Sequence, residues 1–265
     1  MLEALSYEFV QNAIIAGILV SIASGIVGSL IVVNRMVFLA GGIAHTSYGG
    51  IGMAIYFGIP IFLGASIFAL LSALIISFIT INHKSRMDTF IGLMWAIGMA
   101  IGVIFIDLTS GYSVDLMSYL FGSILAVSRS DILYMGILLT ITILIVSLRY
   151  RDILAVSYDS EYAKLRGINV NLFYSLILVI SALVIVVAIK VVGLILVIAL
   201  LTIPIYIAEK LSKSLYSMMI LSSIFSSIFT IVGLTISYLY DISSGASIIL
   251  VSAISLLSFI GYKHL

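Results

Sequence analysis

Long, uninterrupted runs of hydrophobic residues, separated by short polar segments, dominate this 265-residue chain. A helix needs about 20 apolar residues to cross the hydrocarbon layer of a bilayer, and runs of that length recur along the whole sequence. The runs are continuous and do not alternate with a period of two, so they predict helices and not the strands of a barrel. The pattern therefore predicts an all-α, polytopic protein embedded in the lipid bilayer.

Nine of these runs are predicted to be transmembrane helices. They are, roughly, Gln11–Val33, Met36–Phe57, Pro60–Ile81, Phe90–Leu108, Asp131–Leu148, Leu172–Ile189, Val191–Ala208, Leu215–Tyr238 and Ser244–Tyr262. A tenth stretch, Leu116–Val127, is too short to cross, and we expect a re-entrant or interfacial helix there. We expect residues 1–265 to form a single transmembrane domain.

Composition agrees with a polytopic membrane protein and excludes several classes of function. Charged residues make up 9% of the chain, whereas soluble domains average about 25%. The net charge is +1, which gives no indication of a nucleic-acid partner, and the absence of cysteine excludes disulfides and thiolate metal sites. There is no G-x-x-x-x-G-K-[ST] motif and no recognisable catalytic set, so we expect no enzyme activity and no cofactor of its own.

Basic residues predict the orientation, because Lys and Arg are concentrated in cytoplasmic loops. The basic groups that we place in the cytoplasm are Arg35, Lys84/Arg86, Arg149/Arg151/Lys164/Arg166, Lys210/Lys213 and Lys263. The segments near Glu3/Glu8, 110–115 and 241–244 contain no Lys or Arg and are placed outside. The alternation holds only if Leu116–Val127 does not cross, and it puts the N-terminus outside and the C-terminus in the cytoplasm. Arg129 is the one residue on the unexpected side.

The longest polar stretch, about residues 149–171, lies between two spans on the predicted cytoplasmic side. Within it, Ser157–Gly167 reads SYDSEYAKLRG, with a serine or aspartate able to cap a helix, early acids, late bases and a terminal glycine. This order is typical of a short surface helix.

His45 is the only histidine within a predicted span, and it lies in the glycine-rich run Phe38–Ala54. An ionisable residue inside a membrane is costly and is therefore a functional candidate. A neutral imidazole is a good ligand for zinc, manganese or iron. A packing histidine bonded to a neighbouring carbonyl is an equally acceptable interpretation of this residue alone.

Other charged or helix-breaking residues lie at or near the ends of the predicted spans. Asp107, Asp115 and Asp241 are expected at outer ends, where they would either draw in cations or simply be solvated. Lys190 lies in an outer turn and is expected to reach the membrane interface. Pro204 indicates a broken or kinked helix.

Several stretches, in order and over nearly the whole chain, resemble the metal-type ABC permease family, which imports zinc, manganese or iron. The segment Ser157–Tyr174 is similar to the family's D-x-E-x-A-x-x-x-G-[IL] cytoplasmic motif, with matches at Asp159, Glu161, Ala163, Gly167 and Ile168. The further similar stretches are Asp88–Val103, Asp115–Ile132 and Val186–Ala208.

The resemblance implies a permease in a prokaryotic plasma membrane, as a homodimer with two copies of a separate ATPase and an extracellular metal-binding protein. The helix over Ser157–Ile168 would be the coupling helix. Asp159, Glu161, Ala163, Lys164 and Gly167 would then form the coupling site against the ATPase. His45 falls on a ligand position of the translocation pathway.

The chain departs from the family at one ligand position. The family's second span usually reads G-D-A-[LI]-[SA]-H, whereas this chain reads A-G-G-I-A-H, with Gly41 in place of the aspartate. The substrate could therefore be a different metal or a metal complex. Alternatively, two copies of His45 meet at the dimer axis, helped by Thr46 or Ser47 hydroxyls or by water. Lys190 is a second departure, at a position that is usually polar and uncharged.

Two other functions agree less well with the sequence. A secondary transporter of cations or small molecules usually shows inverted repeats and buried acids, and neither is evident here. An intramembrane enzyme would need a catalytic set that the sequence does not contain.

Overall fold

The computed structural model describes residues 7–82, 87–109, 122–194 and 197–264, and every regular element in those ranges is a helix. The helices are α1 Glu8–Val33, α2 Val37–Phe57, α3 Ile61–Asn82, α4 Met87–Asp107, a 3-10 turn Ile124–Ala126, α5 Arg129–Leu148, α6 Tyr150–Tyr158, α7 Ser160–Leu165, α8 Val170–Val192, α9 Val197–Leu200, α10 Ile203–Leu211, α11 Leu215–Tyr240 and α12 Ser244–His264. The predicted all-α class is confirmed over these residues.

Seven helices in the described ranges are long and apolar enough to cross a membrane, namely α1, α3, α4, α5, α8, α11 and α12. The predicted number of nine is therefore not confirmed. Helix α2 has 21 residues, which is enough to cross, but its glycines, His45 and hydroxyl side chains lower its mean hydropathy, and it is not among the seven. The outward faces carry exposed apolar side chains such as Leu71, Leu74 and Phe78 of α3, as lipid contact requires.

The predicted span Val191–Ala208 is not one helix. Helix α8 continues to Val192, Gly193 then takes a left-handed conformation (φ 86°), and two short helices, α9 and α10, follow. Leu201 and Thr202 form the turn between α9 and α10, and Pro204 lies in the first turn of α10. Proline lacks an N–H and disfavours helix in the residue before it, so the break that Pro204 indicated is confirmed and lies just before it.

Half of the predicted short helix Leu116–Val127, residues 116–121, lies outside the described residues, as does Asp115. Its described end contains the 3-10 turn Ile124–Ala126. Gly122 (φ 74°) packs so closely against Val192 and Gly193 that a β-carbon there would overlap the backbone of both. Two glycines therefore let this segment meet the end of α8.

By its internal contacts the chain divides into two compact units. One comprises α1, α5, the end of α8 from Val187, and α9 to α12. In it, hydroxyls join α1 to α11: Ser21 shares a hydrogen bond of 2.9 Å with Thr230, and Ser222 donates to the Gly25 carbonyl at 2.9 Å. The other comprises α2, α3, α4, α6, α7 and α8 up to Val186, and it contains all the predicted site residues.

Candidate functional site

Helices α2 and α4 lie in backbone contact at the level of the candidate histidine. A β-carbon placed on Gly98 of α4 would lie 2.6 Å from the Cα of Thr46 on α2, closer than real side chains approach. Further along, Gly52 of α2 faces the backbone of Gly102 of α4 equally closely. Glycine at these positions removes the side chains that would otherwise separate two helices.

The imidazole of His45 is half-buried and lies flat against the indole of Trp95 on α4. The ring centroids are 3.9 Å apart and the planes differ by 10°, which is a parallel stack. Trp95 also meets Phe38, which lies two helical turns before His45, with centroids 6.4 Å apart. The buried Nδ1 of His45 has no hydrogen-bond partner in the part of the chain that the structure describes.

The two hydroxyl residues after His45 are engaged with their own helix. Thr46 donates to the Gly42 carbonyl and Ser47 to the Ile43 carbonyl, both at 2.6 Å, and both side chains are buried. Within the described ranges no group of three or more His, Asp or Glu side chains could hold a metal ion. Within these residues His45 thus belongs to no such group and has an unused nitrogen, so it is chemically suited to brief contact with a cation and not to tight retention.

The predicted coupling segment forms two consecutive short helices, α6 and α7. The predicted surface helix is confirmed as α7: the Asp159 side chain accepts a hydrogen bond from the Tyr162 N–H at 2.9 Å and caps its start. Gly167 follows in a left-handed conformation (φ 76°), and the Ile168 N–H bonds the Ala163 carbonyl. These residues therefore shape α7 at both ends.

The five predicted coupling residues separate by exposure. Glu161 and Lys164 point outward, whereas the Ala163 side chain is 0% exposed and packs inside its unit. The most exposed apolar side chain beside them is Leu165, at 88%, and sequence reasoning did not single it out. A leucine within the polar run SYDSEYAKLRG is the sequence signal that could have identified it.

Two basic residues at the predicted outer side contact carboxylates. Arg129, the residue on the unexpected side, has its Nε 2.7 Å from a carboxylate oxygen of Glu8. Lys190 is 24% exposed, and its Nζ lies 3.7 Å from Asp131, so it contacts a carboxylate in addition to any reach toward the interface.

Comparison with known proteins agrees with this architecture. The model of the ABC 3 transport family matches residues 6–262, and the chain belongs to that family. The assignment to the metal-type ABC permeases, the membrane-spanning subunits of such transporters, is thereby confirmed.

Three similar proteins illustrate the match. An uncharacterized membrane protein from Synechocystis is 46% identical over 100% of this chain and 94% of its own length. The manganese transport system membrane protein MntC from Listeria monocytogenes is 36% identical, covering 94% of this chain and 89% of that protein. The structure of PsaBC from Streptococcus pneumoniae in complex with Fab superposes with a TM-score of 0.86 at 35% identity, covering 96% of this chain and 91% of that one.

Proposed function

We propose that this permease imports a divalent metal ion, with manganese as the favoured substrate. The observation that carries the choice of metal is the 36% identity, over most of both chains, to a manganese transport membrane protein. The secondary-transporter alternative receives no support, because the chain belongs to an ABC family. The match over residues 6–262 also supports treating residues 1–265 as one permease domain.

In this proposal His45 lines the route. Imidazole is a ligand for divalent transition-metal ions, and a single such ligand binds weakly. Weak binding suits a transport route, because an ion must be admitted and then released. We further propose a homodimer in which two copies each contribute His45, because Gly41 supplies no carboxylate and the neighbouring hydroxyls are engaged with their own helix.

Energy would come from a separate ATP-hydrolysing subunit that docks on α7, and an extracellular metal-binding protein would deliver the ion. Helix α7 is suited to docking because it is capped at both ends and presents Glu161, Lys164 and Leu165 outward. A short rigid helix of this kind can pass a rigid-body movement between subunits.

Metal accumulation tests the proposal. Cells lacking this chain are complemented with the wild type, His45→Ala, or the control Ser258→Ala on an exposed part of α12. Manganese, zinc and iron contents are then measured at limiting metal. We expect the wild type and control to restore manganese, and His45→Ala to reduce uptake at least about tenfold, as even indirect partners of metal ligands do.

Two outcomes would contradict this. Restoration of zinc or iron but not manganese would refute the choice of metal. Normal uptake by His45→Ala at every manganese concentration would make His45 a packing residue.

A further inference from the structure

Among the described residues, no hydrogen bond accounts for the orientation of the His45 ring. A histidine that contacts a metal ordinarily has its other nitrogen bonded to a carboxylate, a carbonyl or water, and that bond fixes the ring. No such bond is made by His45 within the described ranges, where its Nδ1 is buried and unpartnered. Some other contact must therefore hold the imidazole.

The parallel stack on Trp95 is that contact. At 3.9 Å and 10° the indole covers one face of the imidazole and leaves the ring only small rotations about its side-chain bonds. The face of an indole is electron-rich, and it attracts a ring that carries positive charge. An imidazole gains positive character when one of its nitrogens binds a divalent cation, so the stack becomes more favourable with the ion in place.

Helix contacts on both sides of the stack limit how closely the two rings can approach. One turn before it, the side chain of Ile91 on α4 presses against Gly42 on α2. One turn further along α4, Gly98 lies against Thr46, the residue that follows His45 on α2, and a β-carbon on Gly98 would be 2.6 Å from the Cα of Thr46. Because the two helices are already in contact at both levels, they cannot come closer together, and this contact sets the smallest distance between the rings.

We propose that Trp95 is a positioning residue that holds the His45 imidazole for the transported cation, in the role that a hydrogen-bond partner plays elsewhere. This inference rests on the proposed function of His45. It adds a residue on a second helix, α4, to the translocation site, and it makes the α2–α4 contact part of the site.

The chain carries its own probe, because Trp95 is its only tryptophan. Manganese(II) is paramagnetic and quenches a fluorophore at short range. The purified full-length chain in detergent is titrated with Mn²⁺ while tryptophan emission is recorded, and bound Mn²⁺ is followed separately by loss of the free-ion electron paramagnetic resonance signal. We expect saturable quenching with Mn²⁺, none with Mg²⁺, and none in His45→Ala.

Variants at position 95 separate positioning from packing. Trp95→Phe keeps a ring to stack, and we expect its Mn²⁺ binding and uptake to stay within about twofold of wild type, whereas Trp95→Leu should weaken both by about 10–100-fold. The matched control is Leu93→Ala, an exposed residue of the same helix, which should change neither.

Each outcome decides a different point. If Trp95→Leu binds and imports like the wild type while His45→Ala fails, Trp95 is only a packing residue and the proposed function stands. If His45→Ala also behaves like the wild type, the proposed function fails and the positioning role fails with it. If Trp95→Leu does not accumulate, the wild-type titration decides: Mn²⁺ that binds without quenching Trp95 lies elsewhere and overturns the inference.

Discussion

Gly41 is buried one helical turn before His45, on the same face of α2. Replacing it with aspartate would add a charged oxygen ligand beside the imidazole. We expect Gly41→Asp to tighten Mn²⁺ binding at least about tenfold and to slow uptake, since a carboxylate buried without a partner is costly and gains most from the ion. Paramagnetic resonance titration and initial uptake rates measure the two effects.

Gly41→Asn is the matched control, because it has the size of aspartate without the charge. If the two variants bind Mn²⁺ equally and import it at the same rate, the carboxylate at position 41 does not contact the ion. Gly41 would then lie outside the metal site.

Single residues differed in how far the sequence revealed them. His45 was identifiable because it is the only histidine in a predicted span, and intramembrane imidazoles are rare. Trp95 was not, because an aromatic ring within an apolar run is equally suited to packing or to lipid contact. Its partner became apparent only once α2 and α4 were seen in contact, and sequence spacing within either helix carries no information on that pairing.

At the level of helices, the glycines of α4 are not equivalent. Gly98 lies against the backbone of α2, whereas a β-carbon on Gly92 would meet no atom within 4 Å. We expect Gly98→Ala to force the helices apart at a cost of about 1–3 kcal/mol. Gly92→Ala should be neutral or should stabilise by up to about 1 kcal/mol, because alanine favours helix.

Thermal unfolding in detergent, followed by size-exclusion chromatography of the heated sample, measures both variants. Equal melting temperatures would mean that α2 and α4 are not in backbone contact at Thr46.

Helix α7 offers a second test at this level. Leu165 is almost fully exposed on a segment expected in the cytoplasm, where a partner surface that removed its side chain from water would gain binding free energy. We expect Leu165→Ser to lower the amount of ATP-hydrolysing subunit that purifies with the chain severalfold, while Leu165→Met, which stays apolar, keeps it. Asp159→Asn preserves the helix cap and should also retain the subunit. Loss with Leu165→Met as well as Leu165→Ser would point to a disturbed fold instead of a docking contact.

The extents of the long helices follow from hydrophobic run length, which is why most predicted spans coincide with observed helices within a few residues. The region from α8 to α10 shows the limit of that reasoning. Val191–Ala208 is apolar enough for a span, and hydropathy cannot tell a continuous helix from two short ones. Pro204 indicated a break in the helix, but the position of the break also depends on the left-handed backbone of Gly193 and on the turn at Thr202.

At the scale of the whole chain, orientation rests on where the positive charges lie. The segment between α5 and α8 carries Arg149, Arg151, Lys164 and Arg166, whereas the turn between α11 and α12 carries Asp241 and no basic residue. Arg129, on the predicted outer side, departs from this distribution, and it is paired with Glu8. Charge of this kind biases insertion, since translocating Lys or Arg across the membrane is disfavoured.

The chain has no cysteine, so a single introduced thiol reports the side of the membrane on which it lies. Ser243 and Lys164 are both exposed in the fold, which makes them comparable sites. In intact cells or spheroplasts, an impermeant maleimide should label Ser243→Cys and spare Lys164→Cys. Permeabilised membranes should label both, which controls for thiol reactivity. Labelling of Lys164→Cys from outside would reverse the orientation and place α7 beyond the reach of any cytoplasmic ATPase. Import driven through α7 would then be physically impossible, even though the family assignment and the His45–Trp95 stack would stand.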